Sequence, residues 1–145
     1  MEVTVSTWLV AGIGLGLIGL LWGLQLAAVL RPRHPWTVEN VYGGSPDETD
    51  PTAYFAVNQG YAWADAVFWA PLQVAGSIGM VLGHRWGFLL ALMASVPHWY
   101  SAVLLFIWDR DLGFRKNTVS YWFTFAMFPV YGVVAGLYCL ARLLD

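Results

Sequence analysis

The chain has 145 residues, of which 59% are hydrophobic, 17% aromatic and only 11% charged, and its mean hydropathy is positive. A soluble domain carries roughly 25% charged residues, so this composition argues against a soluble globular protein and predicts an integral, multi-pass membrane protein. Seven Lys and Arg against nine Asp and Glu give a formal net charge of −2, which argues against nucleic acid as a partner. The single cysteine, Cys139, excludes an internal disulfide and a cysteine-based metal cluster.

Four apolar windows are long enough to cross a bilayer, whose core of roughly 30 Å needs about 20 helical residues. They cover residues 7–30, 53–82, 86–107 and 118–144. A polar loop at 31–52, a tight turn at 83–85 and a loop at 108–117 separate them. We therefore predict one domain over residues 1–145, an all-α membrane bundle in which helices two and three form an antiparallel hairpin.

The distribution of Lys and Arg predicts the orientation of this bundle. The first and third loops carry five of the seven basic residues, and the opposite side carries Arg85 and Arg142. The side with more Lys and Arg is normally cytoplasmic, so both termini are expected on the outer side.

The first helix is rich in glycine, with the pairs Gly12 and Gly16 and Gly19 and Gly23 each four residues apart. This spacing puts small residues on one helical face and lets another helix approach closely. The face is expected to pack within the bundle, and a homodimer seam is the alternative.

Asp65 is the only acidic residue inside a predicted span. A carboxylate at a helix centre costs about 2.5 to 3.5 kcal/mol to insert, so such residues usually face the bundle interior and have a function. An interfacial, solvated or purely structural carboxylate is the alternative. Helical spacing places one polar and aromatic stripe along this helix, which is expected to point inward. The stripe consists of Asn58, Ala62, Asp65, Trp69, Gln73 and Gly76.

His98, in the third span, has small neighbours that leave room for a ring or a ligand. A histidine hydrogen-bonded in the core is the plainer interpretation. Pro71, Pro97 and Pro129 each lie well inside a span, where proline removes a backbone hydrogen bond and bends the helix. With the aromatic residues nearby, these prolines predict kinked helices around an intramembrane cavity whose apolar walls and few polar groups suit a hydrophobic ligand.

Asp65 and His98 are the candidate acid and base for catalysis, since both ionise and lie within the spans. The ligand-binding candidates are Asn58, Trp69, Gln73, Trp99, Tyr100 and Tyr131. The sequence contains no helical pair of metal ligands, no phosphate-binding glycine loop and no nucleophile motif, so we predict neither metal nor cofactor.

From residue 50 onward the chain resembles the EXPERA family, which includes sterol isomerases and the sigma-two receptor. The matching segments are residues 50–54 (DPTAY), Asp65, 70–72 (APL), 95–100 (SVPHWY), 108–114 (WDRDLGF) and 121–125 (YWFTF). The resemblance implies that Asp65 is the family's intramembrane carboxylate, which lines a pocket for sterols and cationic amphiphilic amines. It also aligns His98 and Tyr100 with a Gln and a Tyr of the isomerases. The isomerases carry a further His and Glu in their first pair of helices, whereas the first helix here has no ionisable group and offers only Gln25.

These observations predict a membrane protein that binds a sterol-like, terpenoid or cationic amphiphilic ligand, with isomerase or cyclase activity as an extension. The competing hypothesis is a non-catalytic assembly protein that docks onto a partner through its glycine-rich first helix.

Overall fold

The computed structural model describes residues 1–42, 53–112 and 123–145, and these residues form helices and short connections without a β-strand. The helices are α1 (Val5–Leu30), α2 (Pro35–Asn40), α3 (Ala53–Ala64), α4 (Ala70–Val81), α5 (Arg85–Leu112) and α6 (Phe128–Leu144). Two π-helical turns, Asp65–Trp69 and Phe123–Met127, lead directly into α4 and α6. Four stretches are long and apolar enough to cross a membrane, namely Val5–Leu30, Phe55–Val81, Arg85–Leu104 and Phe125–Leu144. The prediction of four long apolar helical stretches in this order is confirmed.

Two connections differ from the prediction. The first loop contains the short helix α2, which begins with Pro35 and is capped by the His34 ring, since Nδ1 accepts from the Trp36 backbone N–H at 3.3 Å. The helix of the third span, α5, continues to Leu112, five residues beyond the predicted end of that span at residue 107. The rest of that predicted loop lies outside the described residues.

The bundle core forms where α5 packs against both α4 and α6 while α1 lies against α4. Its central cluster consists of Leu17, Ile18, Trp69, Ala70, Ala94, Phe128, Tyr131 and Ala135. The outward faces are also apolar, as Val5 (76% exposed), Val67 (65%) and Leu137 (64%) show. Apolar surface on every helix is expected for a bundle surrounded by lipid rather than water.

The hairpin between α4 and α5 turns at Gly83, whose φ of +71° favours glycine. The Gly83 N–H donates to the Met80 carbonyl at 3.0 Å, and the His84 N–H donates to the Gly79 carbonyl at 2.9 Å. This pair of bonds is a Schellman motif, which satisfies the last carbonyls of α4. The tight turn predicted at 83–85 is confirmed.

The N-terminal segment, this turn and the C-terminus meet at one end of the bundle. The Met1 amino group donates to the Gly83 carbonyl at 2.7 Å, and Arg85 Nη2 donates to the Leu143 carbonyl at 2.8 Å. The Arg142 guanidinium donates to the Glu2 carbonyl. These contacts place both ends of the chain on one side, as four spans require, whereas the membrane side that they face stays a prediction.

At the opposite end, Tyr42 closes the first loop against α1 and α3. Its hydroxyl donates to the Ala28 carbonyl at 3.4 Å and accepts from Gln59 Nε2, which also donates to Ala28 at 3.0 Å. Burial raises the pKa of the Tyr42 phenol, and the Gln59 hydrogen bond opposes part of that rise. The phenol is therefore neutral and fixes the loop as a hydrogen-bond donor.

The expectation that the spaced glycines of α1 pack inside the bundle is wrong. A Cβ added at Gly12, Gly16, Gly19 or Gly23 would meet no described atom within 4 Å. The close approach is instead at Gly14, where a Cβ would overlap the Tyr131 hydroxyl. Four-residue spacing puts glycines on one face, but that face of α1 turns away from the other helices. The homodimer seam stays a prediction.

Candidate functional site

The inward stripe of the second span is confirmed at four positions. Ala62, Trp69, Gln73 and Gly76 are buried among the other helices. Asn58 and Asp65 are half-buried on the same span, so the polar stripe remains partly open at its Asp65 end.

Asp65 is the first residue of the π-helical turn, where its carboxylate faces α1. Gln25 Nε2 donates to Asp65 Oδ2 at 3.0 Å. The partner of this carboxylate on α1 is thus a neutral amide. Among the described residues, no Lys or Arg forms an ion pair with Asp65.

The π-helical turn itself explains a second contact with α1. The Ala70 N–H donates to the Asp65 carbonyl, five residues back, and so does not reach the Ala66 carbonyl that it would bond in an α-helix. The Trp22 indole N–H donates to that Ala66 carbonyl at 3.0 Å. Trp22 and Gln25, three residues apart on α1, together hold the turn and its carboxylate.

Prolines lie close to both π-helical turns. Pro71 and Pro129 have no N–H for the Val67 and Phe125 carbonyls four residues earlier, and each of those residues lies within a π-helical turn. Pro97 differs, because α5 runs through it as an α-helix. The kinks expected at the three prolines stay a prediction.

One turn beyond Asp65, four of the predicted site residues come together in the bundle centre. The Trp69 and His98 rings meet edge to face with centroids 4.7 Å apart, and the His98 and Tyr131 centroids are 5.0 Å apart. Trp69 Nε1 and His98 Nδ1 both bond to the Ala94 carbonyl, at 3.0 and 2.8 Å. The Ala94 carbonyl of α5 therefore holds the Trp69 ring of the second span beside the His98 ring.

The Gln73 side chain extends this cluster toward α1. Its Nε2 donates to Ser77 Oγ and to the Tyr131 hydroxyl, each at 3.1 Å. The Tyr131 hydroxyl in turn donates to the Val10 carbonyl at 3.1 Å. One chain of hydrogen bonds therefore joins α4, α6 and α1 in the bundle interior.

Trp99 and Tyr100 are not part of this cluster. Their side chains are 43% and 55% exposed on the outer surface of α5, whereas His98 is fully buried. Each helical residue turns by about 100°, so the two residues after an inward histidine point elsewhere. Their sequence proximity to His98 does not make them neighbours of its ring.

Asp65 and His98 have different hydrogen-bonding partners, since Asp65 bonds to Gln25 on α1 and His98 bonds to the Ala94 carbonyl on α5. Gln25, Trp22, Ser77 and Gly14 also belong to the site, although no sequence pattern predicted them there. Gln25 was detectable in principle, because an amide is conspicuous in an apolar span. Among the described residues no three His, Cys, Asp or Glu side chains are grouped to hold a metal ion.

Comparisons of the chain with protein-family models, with curated proteins and with solved structures found no match.

Proposed function

We propose that this chain binds a cationic amphiphilic ligand, of sterol-like or terpenoid shape, within the membrane and that Asp65 is its electrostatic anchor. The observation that carries the proposal is the half-buried Asp65 carboxylate, which lies inside a candidate span and accepts a hydrogen bond from the neutral amide of Gln25. The ammonium group of a ligand would supply the positive charge opposite Asp65 that no described Lys or Arg supplies.

Desolvation of the Asp65 carboxylate favours the binding of a cation. A carboxylate in an apolar bundle has lost much of its hydration, and one amide hydrogen bond replaces only part of it. An ammonium group at the remaining oxygen gives a charge-assisted hydrogen bond in a medium of low dielectric constant. The apolar part of the ligand then packs against aromatic and aliphatic walls, as in other small-molecule sites.

The resemblance to the EXPERA family supports the same function, because it assigns Asp65 to the family's ligand-facing carboxylate. We propose binding rather than isomerisation or cyclisation as the primary activity. The isomerases that the chain resembles carry a His and a Glu in their first pair of helices, whereas the first helix here has no ionisable group.

A paired titration tests the anchor. The ligands are a cationic amphiphilic amine and its neutral isostere, and the proteins are the wild type, Asp65→Asn and the control Glu2→Gln. Glu2 is an exposed acid outside the spans, so its variant removes the same charge elsewhere. Asp65→Asn should weaken amine binding by roughly tenfold to a hundredfold, the value of a hydrogen bond to a charged group, and leave the isostere nearly unchanged.

Folding should survive this substitution, because Asn retains an oxygen that accepts from Gln25 and a neutral amide is cheaper to bury than an anion. Equal losses for amine and isostere in a folded Asp65→Asn protein would overturn the proposal. The same titration separates it from partner docking through α1, whose support is the open glycine face and which does not depend on the Asp65 charge.

A further inference from the structure

Two hydrogen-bond acceptors in the bundle centre have no donor among the described residues. They are Nε2 of His98 and Oε1 of Gln73, whose residues are 0% and 1% exposed. Buried polar atoms in folded proteins nearly always have a hydrogen-bond partner, so each of these two acceptors indicates a place for a donor.

The protonation of His98 follows from its helix. Its Nδ1 lies 2.8 Å from the Ala94 carbonyl, which can only accept, and Nδ1 therefore carries the proton of the neutral ring. Nε2 consequently presents a lone pair toward the bundle interior.

The orientation of Gln73 follows from Tyr131 in the same way. The Tyr131 hydroxyl donates its single proton to the Val10 carbonyl and must accept from Gln73, so the nearby amide atom is the NH2 nitrogen. That nitrogen also donates to Ser77. The amide oxygen is left as a second acceptor.

Both acceptors belong to residues that touch Tyr131. Gln73 bonds to its hydroxyl at 3.1 Å, and the His98 ring lies against its ring at a centroid distance of 5.0 Å. The Trp69 and Phe128 rings flank His98 at 4.7 and 5.3 Å. The described side chains that contact the two residues are aromatic or neutral polar groups, which favours a neutral donor over a cation.

We propose that His98 Nε2 and Gln73 Oε1, the two unpartnered acceptors beside Tyr131, bind an O–H donor. The donor is either water, which has two protons and can supply both acceptors, or the single hydroxyl group of a lipid-like alcohol, which donates to His98 Nε2. This site is distinct from the Asp65 anchor, since both of its acceptors are neutral and the hydrogen bonds of His98 and Gln73 go to Ala94, Ser77 and Tyr131 rather than to Asp65 or Gln25.

The variant that isolates the site is His98→Asn. The Asn amide nitrogen stands at the same distance from Cβ as His Nδ1 and can still donate to the Ala94 carbonyl, while Nε2 is lost. Ser95→Ala is the matched control on the same helix, because Ser95 Oγ donates to the Leu92 carbonyl of its own helix.

The first measurement is the ¹⁵N NMR spectrum of histidine-labelled wild-type protein in lipid nanodiscs, with the His98 signals identified by their loss in His98→Asn. We expect a protonated Nδ1 and an Nε2 resonance shifted in the direction of a hydrogen-bonded acceptor. A protonated Nε2 would overturn the proposal. So would an Nε2 resonance that shows no such shift in either the presence or the absence of an added alcohol. This measurement requires no variant to bind a ligand.

The second measurement identifies the source of the donor, with farnesol and its methyl ether as probes. A ligand hydroxyl predicts that wild type and Ser95→Ala prefer farnesol by about twofold to tenfold and that His98→Asn loses this preference. A resident water predicts the Nε2 shift without any probe and no change when farnesol is added. Both probes are uncharged, so failure here is distinguishable from failure of the Asp65 proposal.

Discussion

The Tyr131 hydroxyl joins three of the four spans, since it bonds Val10 of α1 and Gln73 of α4 from its position on α6. Its reach depends on Gly14, one turn after Val10, where any side chain would occupy the hydroxyl's place. A glycine is required there by close approach and not by backbone conformation.

Gly14→Ala should therefore destabilise the bundle by about 1 to 3 kcal/mol, the usual cost of forcing a methyl group into a packed site. Unfolding in a denaturing detergent measures this loss. The control is Gly16→Ala, since a Cβ at Gly16 meets no described atom within 4 Å. If both variants unfold alike, Tyr131 does not pack on α1 as described.

At the level of elements, the second span owes its shape to the π-helical turn at Asp65–Trp69. The turn releases the Ala66 carbonyl from the helical pattern, and α1 supplies the donor through Trp22. It also places Asp65 opposite Gln25. π-helical turns often occur at functional positions, and this one carries the only carboxylate of the predicted spans.

Trp22→Phe should cost about 1 to 3 kcal/mol, because it keeps the aromatic bulk but leaves the buried Ala66 carbonyl without the indole donor. Trp8→Phe on the same helix is the control, since Trp8 is 59% exposed and its variant should stay within about 0.5 kcal/mol of wild type. Thermal melts in one detergent compare the two. Equal stability of both variants would show that Trp22 does not hold the turn.

For the whole molecule, the contacts among Met1, Gly83 and the C-terminal residues define one end of the bundle, and α2 lies at the other. The excess of Lys and Arg predicts that the α2 end is cytoplasmic. The structure places the two termini at the same end of the bundle. Which side of the membrane that end faces is predicted only from the distribution of Lys and Arg.

Cysteine labelling tests this orientation in a Cys139→Ala background, which should show no labelling. His84 and Glu39 are exposed at opposite ends. On intact cells, a membrane-impermeant maleimide should label His84→Cys at once and Glu39→Cys only after permeabilisation. The reverse pattern would mean that the termini are cytoplasmic.

The sequence by itself determined the number and order of the spans and the tight turn at Gly83. It also determined that Trp69 and Gln73 share an inward face with Ala62. These properties follow from apolar length, turn chemistry and helical period, which are local quantities.

Only the tertiary structure decided which faces meet. Periodicity placed four glycines on one side of α1, yet the bundle turned that side outward and used Gly14 instead. Trp99 and Tyr100 directly follow His98 in the sequence, yet both side chains lie on the outer surface of the bundle. The pairing of Gln25 with Asp65 joins residues 40 positions apart. The rotation of each helix about its axis depends on the packing of all four spans together, and no local pattern encodes it.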